Sequence, residues 1–204
     1  MPGYGLDMRA TRRLAFHVLF WAGLLLIAAG SGRGATQTKL WRVAPAESAI
    51  TFAYRSNGLA DKGVFARFNG SGRFDRQAPG DATLELRIAS GSIDLGDPRA
   101  SAFATSAEWF DAANHPEIVY RLLNLTPEAG DRYLARGALT IRGQTRPVTS
   151  TIRLEIKGAE AHAAGTLKID RKDYGLGIGP MSLFVTVGPE VDVTFDLTAH
   201  PLSP

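Results

Sequence analysis

The chain has 204 residues, enough for one substantial domain, and 45% of them are apolar. It contains no cysteine, which excludes disulfide staples, thiolate metal centres and thiol chemistry, so an apolar core must hold the fold alone. The formal charge is +3, and three arginines and one aspartate in the first 30 residues carry +2 of it; the near-neutral remainder gives no electrostatic case for nucleic-acid binding.

The chain opens with a basic region, Arg9, Arg12 and Arg13, followed by an apolar run over 14–29 and the small residues Ala28 and Gly30. This order reads as a secretory signal peptide over 1–30, with the mature chain beginning near Ser31. The run is also close to the length of a membrane span, so an uncleaved anchor stays open. The segment from Thr11 to Phe16 loosely resembles a twin-arginine signal, so the export route stays open too. No cysteine follows the run, which excludes a lipid-modified N-terminal cysteine. Residues 31–38 are a polar, glycine-rich linker, and 39–204 form a single domain.

Strands then follow in quick succession. Those at 40–44 and 48–54 are separated by Pro45-Ala46-Glu47. The segments 63–69 and 70–75 predict a hairpin or a bent strand, with Gly70 and Gly72 allowing the change of direction. Pro79-Gly80 marks a turn, and Leu84, Leu86 and Ile88 alternate with polar residues in the strand 83–90.

One helical stretch is predicted, over residues 97–113. Asp97 is a helix N-cap with Pro98 in the first turn, and Phe103, Ala107 and Phe110 recur at helical spacing beside Trp109. Ser106 marks a second short turn, and Pro116 ends the region. Such a helix either packs on a barrel wall or covers the barrel mouth. In the second arrangement the Trp109 indole N–H is a donor for a carbonyl or phosphate oxygen at the boundary between oil and water.

Strands resume at 118–123, 132–141, 146–157, 161–170, 181–187 and 190–199. The clearest is 147–157, where Val148, Ser150, Ile152, Leu154 and Ile156 share one face and Thr149, Thr151, Arg153, Glu155 and Lys157 the other. Val191, Val193, Phe195, Leu197 and Ala199 repeat the pattern. The count is eight long strands and two short ones, an all-β antiparallel sheet curled around an apolar interior. Ala135 and Gly137 alternate with Tyr133 and Leu139, and Ala163 and Gly165 precede Leu167, which favours space inside over a solid core.

Catalytic and metal signatures are lacking in the sequence. His115, His162 and His200 are isolated, without metal-ligand spacing, and no nucleophile elbow or dinucleotide cradle is present. Asp170-Arg171-Lys172-Asp173 reads as a solvated turn with local ion pairs.

Three motifs in order resemble the YceI-like family. Glu108-Trp109-Phe110-Asp111 followed by His115-Pro116-Glu117-Ile118 is similar to its acidic-aromatic-Phe-Asp and Pro-x-Ile segment. The run from Gly137 to Val148 is similar to its Gly-x-Leu-Thr-Ile-x-Gly-x-Thr-x-Pro-Val hairpin. Asp170-Arg171-Lys172-Asp173-Tyr174-Gly175 is similar to its Asp-Arg-x-Asp-aromatic-Gly signature. Trp41 and the run from Ser48 to Phe52 fit its first two strands, so the resemblance spans Trp41 to about Ala199. Two positions depart from the family pattern: Ser56 stands where a histidine is usual, and Asp97-Pro98-Arg99 replaces an Arg-Asp pair.

The resemblance implies an elongated, lipocalin-like antiparallel barrel in the periplasm that holds a long apolar ligand: a polyisoprenoid, an isoprenoid quinone or a fatty amide. It implies a binding protein, not an enzyme, with neither cofactor nor metal. A barrel module with a solid core and an enzyme of unknown reaction are the alternatives. The expected ligand-binding residues are Phe52, Tyr54, Phe65, Tyr120, Leu139, Ile152, Leu154 and Phe195 along the lumen, with Phe103, Trp109 and Phe110 at the mouth. Phe65 depends on register, since a one-residue slip reverses its strand's faces. The sequence leaves open a homodimer and a membrane-associated donor or acceptor of the ligand.

Overall fold

The computed structural model describes residues 39–180 and 186–202. The predicted signal peptide (1–30) and linker (31–38) lie outside the described residues, as does most of the strand predicted at 181–187.

The described chain is almost all strand: β1 (Lys39–Val43), β2 (Ala49–Ser56), β3 (Leu59–Phe65), β4 (Phe68–Phe74), β5 (Thr83–Ala89), β6 (Ile93–Asp94), β7 (Glu117–Pro127), β8 (Arg132–Ile141), β9 (Gln144–Lys157), β10 (Glu160–Asp170) and β11 (Glu190–Pro201). The single α-helix among the described residues is α1 (Pro98–Ala104). Eight strands close into an antiparallel ring in the order β1-β4-β5-β7-β8-β9-β10-β11, with β11 pairing back onto β1. Closure leaves the ring no free edge for another chain to extend.

The long β11 makes this possible by serving two partners. Its last residues, Ala199 to Pro201, pair with β1, while Asp192 to Asp196 pair with β2. β3 pairs with β2, and the two-residue β6 pairs with β3, so these three strands form a flap beside one end of the ring. That end also carries α1, the β8–β9 hairpin and the turn after β10. The opposite end carries the start of β1, the β4–β5 and β7–β8 connections and the β9–β10 turn.

Local chemistry explains the joints. Asn57 (φ 49°) and Gly58 (φ 82°) form a two-residue turn between β2 and β3 with both residues left-handed, which suits the twist of paired strands. Arg142 (φ 49°) and Gly143 (φ 73°) do the same between β8 and β9. Asp97 Oδ1 accepts hydrogen bonds from the backbone N–H of Arg99 (2.9 Å) and Ala100 (2.8 Å), the N-cap that the sequence predicts.

Several boundaries differ from the sequence reading. The helix is seven residues long, and residues 105–115 are successive turns, because the bonds from Phe110 N–H to Ala104 O and Ala112 N–H to Thr105 O fold the chain back on itself. The break near residue 66 separates β3 from β4, so Gly70 and Gly72 lie inside β4 and not at a hairpin. β7 runs four residues beyond Leu123 through a bulge. Its pairing with β8 skips from Leu122–Gly137 to Asn124–Arg136, leaving Leu123 66% exposed and turning Leu125 inward at 2%.

The alternation of inward and outward residues holds along β9 and β11. Val148, Ser150, Ile152, Leu154 and Ile156 all face the interior, as do Val191, Val193, Phe195, Leu197 and Ala199.

Candidate functional site

The interior is a lined space and not a solid core. A cavity of about 610 Å³ runs inside the ring, with walls drawn from all eight ring strands, the β2–β3 flap and α1. That volume lies within the range of small-molecule pockets, roughly 300–1,000 Å³. Phe52, Tyr54, Phe65, Phe103, Trp109, Phe110, Tyr120, Leu139, Ile152, Leu154 and Phe195 all line it.

The lining falls into two apolar groups. At the end carrying α1, buried Ile88, Ile118, Ile141 and Leu176 surround the Trp109 region. Toward the other end, Ala82, Leu125, Tyr133 and Ala135 pack with Phe74, Ile152 and Leu154. Small residues on the inward face are met by aromatic rings. A β-carbon at Gly137 would lie 2.4 Å from the Tyr120 ring, at Gly165 2.7 Å from Phe195, and at Gly63 2.4 Å from Phe52. The small inward residues that suggested empty space thus give part of that space to rings lying flat against the wall.

The aromatic residues of the α1 end form two groups of touching rings. Phe52 lies 5.9 Å from Tyr54 and 5.3 Å from Phe65, and Phe65 meets Phe110 edge-on at 5.7 Å. Phe103 lies 6.0 Å from Trp109. Centroid spacings of 4.5–7 Å are those of favourable aromatic pairs.

Polar groups are few and sit mainly at the α1 end. Tyr54 donates its hydroxyl to Asp61 Oδ2 at 3.2 Å across the β2–β3 pair. Burial and the nearby Asp61 carboxylate push the Tyr54 phenol up to about 12, and burial alone pushes Tyr120 up to about 12, so both are neutral phenols near pH 7. Ser56 and Arg99 line the same end. These are the two places where the sequence departs from the family pattern, and both border the cavity.

Two placements correct the sequence reading. Trp109 is 8% exposed and belongs to the buried core, not to the boundary between oil and water, because the turns after α1 tuck it under Phe103. Arg171 is 7% exposed, not part of a solvated turn. Its Nε donates to Gly188 O (3.0 Å), Nη1 to the carbonyls of Leu176 and Gly177, and Nη2 to Val187 O (2.7 Å). Its guanidinium carbon sits 5.3 Å from the centre of the Trp109 ring. Burial lowers its pKa from the usual guanidinium value. The alternation of charges around it gave no sign of this, since its partners are backbone carbonyls.

Arg142 was also missed. From the β8–β9 turn it donates to Gly175 O (2.5 Å) and Ala107 O (2.7 Å), tying the Trp109 segment and the turn after β10 to the ring. The histidines stand apart: His162 Nε2 is 2.6 Å from Asp196 Oδ1, His200 Nε2 is 3.2 Å from Glu47 Oε2, and His115 is 3.9 Å from Asp111. No group of three or more potential metal-binding side chains occurs among the described residues.

Comparison with known proteins follows the same outline. The model of the YceI-like domain matches residues 41–199. A UPF0312 protein of Photorhabdus laumondii subsp. laumondii is 27% identical over 128 residues, which is 59% of this chain and 66% of that protein. Among solved structures, BcnA of Burkholderia cenocepacia superposes with a TM-score of 0.71 at 27% identity, covering 76% of this chain and 98% of that one. A polyisoprenoid-binding domain from Saccharophagus degradans superposes with a TM-score of 0.65 at 15% identity, covering 79% and 98%.

Proposed function

The chain belongs to the YceI-like family, and on that premise we propose that it is a non-catalytic carrier that holds one long apolar molecule in the barrel lumen. The reading rests on one observation above all: a cavity of about 610 Å³ lined by apolar and aromatic side chains inside a closed eight-stranded ring. The polyisoprenoid ligand of the Saccharophagus degradans domain is taken over as the proposed ligand class, together with isoprenoid quinones and fatty amides. The basic and apolar first 30 residues support export to the periplasm, where the ligand would pass from and to membranes.

The energetics suit a broad tail binder. Burying carbon is worth about 0.8 kcal/mol per CH₂, so a five-carbon isoprene unit contributes up to about 4 kcal/mol. Two or three units reach the roughly 8 kcal/mol of micromolar affinity after ordering costs. Tail chemistry then discriminates weakly, and lumen length and the few polar groups do the choosing.

The test is purification of the protein from a periplasmic extract, organic extraction and mass spectrometry of what was bound. A long-chain apolar molecule, stoichiometric with protein, is the expected result. Its absence from properly folded protein, together with failure to take up added polyprenol, would overturn the reading.

A further inference from the structure

The end of the ring away from α1 is crossed by the connection between β4 and β5. Arg76 in that connection donates from Nη2 to Ile156 O (3.5 Å) on β9, halfway round the ring from β4. Ala82, where the connection ends, is 6% exposed. At the start of the connection Phe74 lines the lumen, and the Tyr133 ring meets it edge-on at 5.9 Å.

Tyr133 is 8% exposed and stands behind the lumen lining, not in it. It borders a second hollow of about 340 Å³, lined by Arg76, Gly130, Asp131, Tyr133, Leu154 and Glu155. Leu154 borders both spaces. Tyr133 and Leu154 thus form a partition between the apolar lumen and a hollow rich in charged side chains, with Phe74 on the lumen side.

Such a floor limits length physically. Each added unit of an apolar chain gains affinity while it leaves water for the lumen, and gains none once the chain end has met the floor and further units stay outside. At about 3.3 Å per residue and a strand tilt of about 40°, the stretch of β8 from Tyr133 to Ile141 descends roughly 20 Å along the ring, room for about four extended isoprene units. The lumen volume of about 610 Å³ agrees, since at roughly 30 Å³ for each water-sized group it holds about twenty of them, the size of a twenty-carbon chain.

We propose that the floor made by Tyr133 and Leu154 under Phe74 sets the length of chain the protein takes, and that the preferred ligand carries about four isoprene units, or a straight chain of similar length. This deepens the carrier reading and rests on it.

The test uses the full chain and the prenols geraniol, farnesol, geranylgeraniol, geranylfarnesol and hexaprenol, which differ by one unit each. Affinities are measured by displacement of a fluorescent fatty chain. On the parent protein, affinity is expected to rise at least about tenfold with each unit up to geranylgeraniol and to stay level beyond it. Tyr133→Leu removes the ring and keeps the partition apolar, and should move the break to geranylfarnesol. Ala163 is half-buried, lines the lumen and is paired with Leu154. Ala163→Leu adds bulk above the floor and should move the break back to farnesol.

Circular dichroism accompanies each titration, and if Tyr133→Leu does not fold, Ala163→Leu decides alone. An unmoved break in a folded variant overturns the inference and leaves the carrier reading standing. Affinity that climbs all the way to hexaprenol on the parent protein does the same. Binding of none of the prenols removes the carrier reading, and this inference with it.

Discussion

The ring of Phe52 lies across Gly63, its directly paired neighbour on β3: a β-carbon on Gly63 would stand 2.4 Å from Phe52 Cζ. The pairing keeps a large aromatic residue flat against the wall, where it lines the lumen without filling it. Phe195 repeats the device over its paired neighbour Gly165, and Tyr120 lies instead across Gly137, the partner of Leu122 on the same strand pair. It is why an eight-stranded ring, which side chains can otherwise fill, keeps an interior space.

Gly63→Ala should push the Phe52 ring into the lumen. Overpacking of this kind costs about 1–3 kcal/mol, and uptake of a long-chain probe should fall with it. Chemical denaturation and probe titration on the same variant check both effects. Gly91→Ala is the control, since its β-carbon meets only Ala112 Cβ at 3.7 Å. Unaltered uptake by Gly63→Ala would show that the ring does not border the ligand.

Charges on the two faces of β9 should act oppositely. Ile152 and Leu154 line the lumen, while Arg153 between them is exposed and lies 3.0 Å from Asp131. Ile152→Glu or Leu154→Glu should abolish lipid co-purification, and Arg153→Glu should leave it intact. Circular dichroism must show the variants folded, because an unpaired charge in an apolar interior also destabilises. A folded Ile152→Glu protein that kept the same lipid would remove β9 from the site.

Arg171→Met should be among the most destabilising single changes. It strands the carbonyls of Leu176, Gly177, Val187 and Gly188 and removes the cation over Trp109. Losing several charge-assisted hydrogen bonds predicts a loss of about 3 kcal/mol or more in urea denaturation. A loss under about 0.5 kcal/mol would show that the guanidinium is dispensable to the turn after β10.

His200 gives the fold a small pH dependence. Hydrogen bonding to Glu47, then to the Ala159 carbonyl, raises its pKa above 6.5. A raised pKa in the folded state means that the pairing stabilises fully below pH 6.5 and is lost as pH rises through the folded value. An NMR titration should place the His200 midpoint above 6.5, and Glu47→Gln should bring it back toward 6.5. A midpoint at or below 6.5 in the parent protein would contradict the pairing.

Much of the barrel was legible in the sequence, because a half-buried strand writes its two faces as a period of two. β9 and β11 read cleanly for that reason, and their inward residues line the cavity. The pattern failed where geometry breaks the period. The bulge at Leu123 puts two leucines in succession and hid the second half of β7. The helix was read too long because Phe103, Ala107 and Phe110 share helical spacing although the chain turns back after Thr105. At the site, apolar lining follows from alternation, but the roles of Arg171 and Arg142 do not. Both spend their donors on backbone carbonyls, which leave no trace in side-chain identity.

Native mass spectrometry of the folded protein tests the central claim most directly. The account predicts that one long apolar molecule stays with each barrel, or that added geranylgeraniol forms a one-to-one complex that phytane displaces. Folded protein found only at its polypeptide mass, before and after addition of these probes, would contradict it.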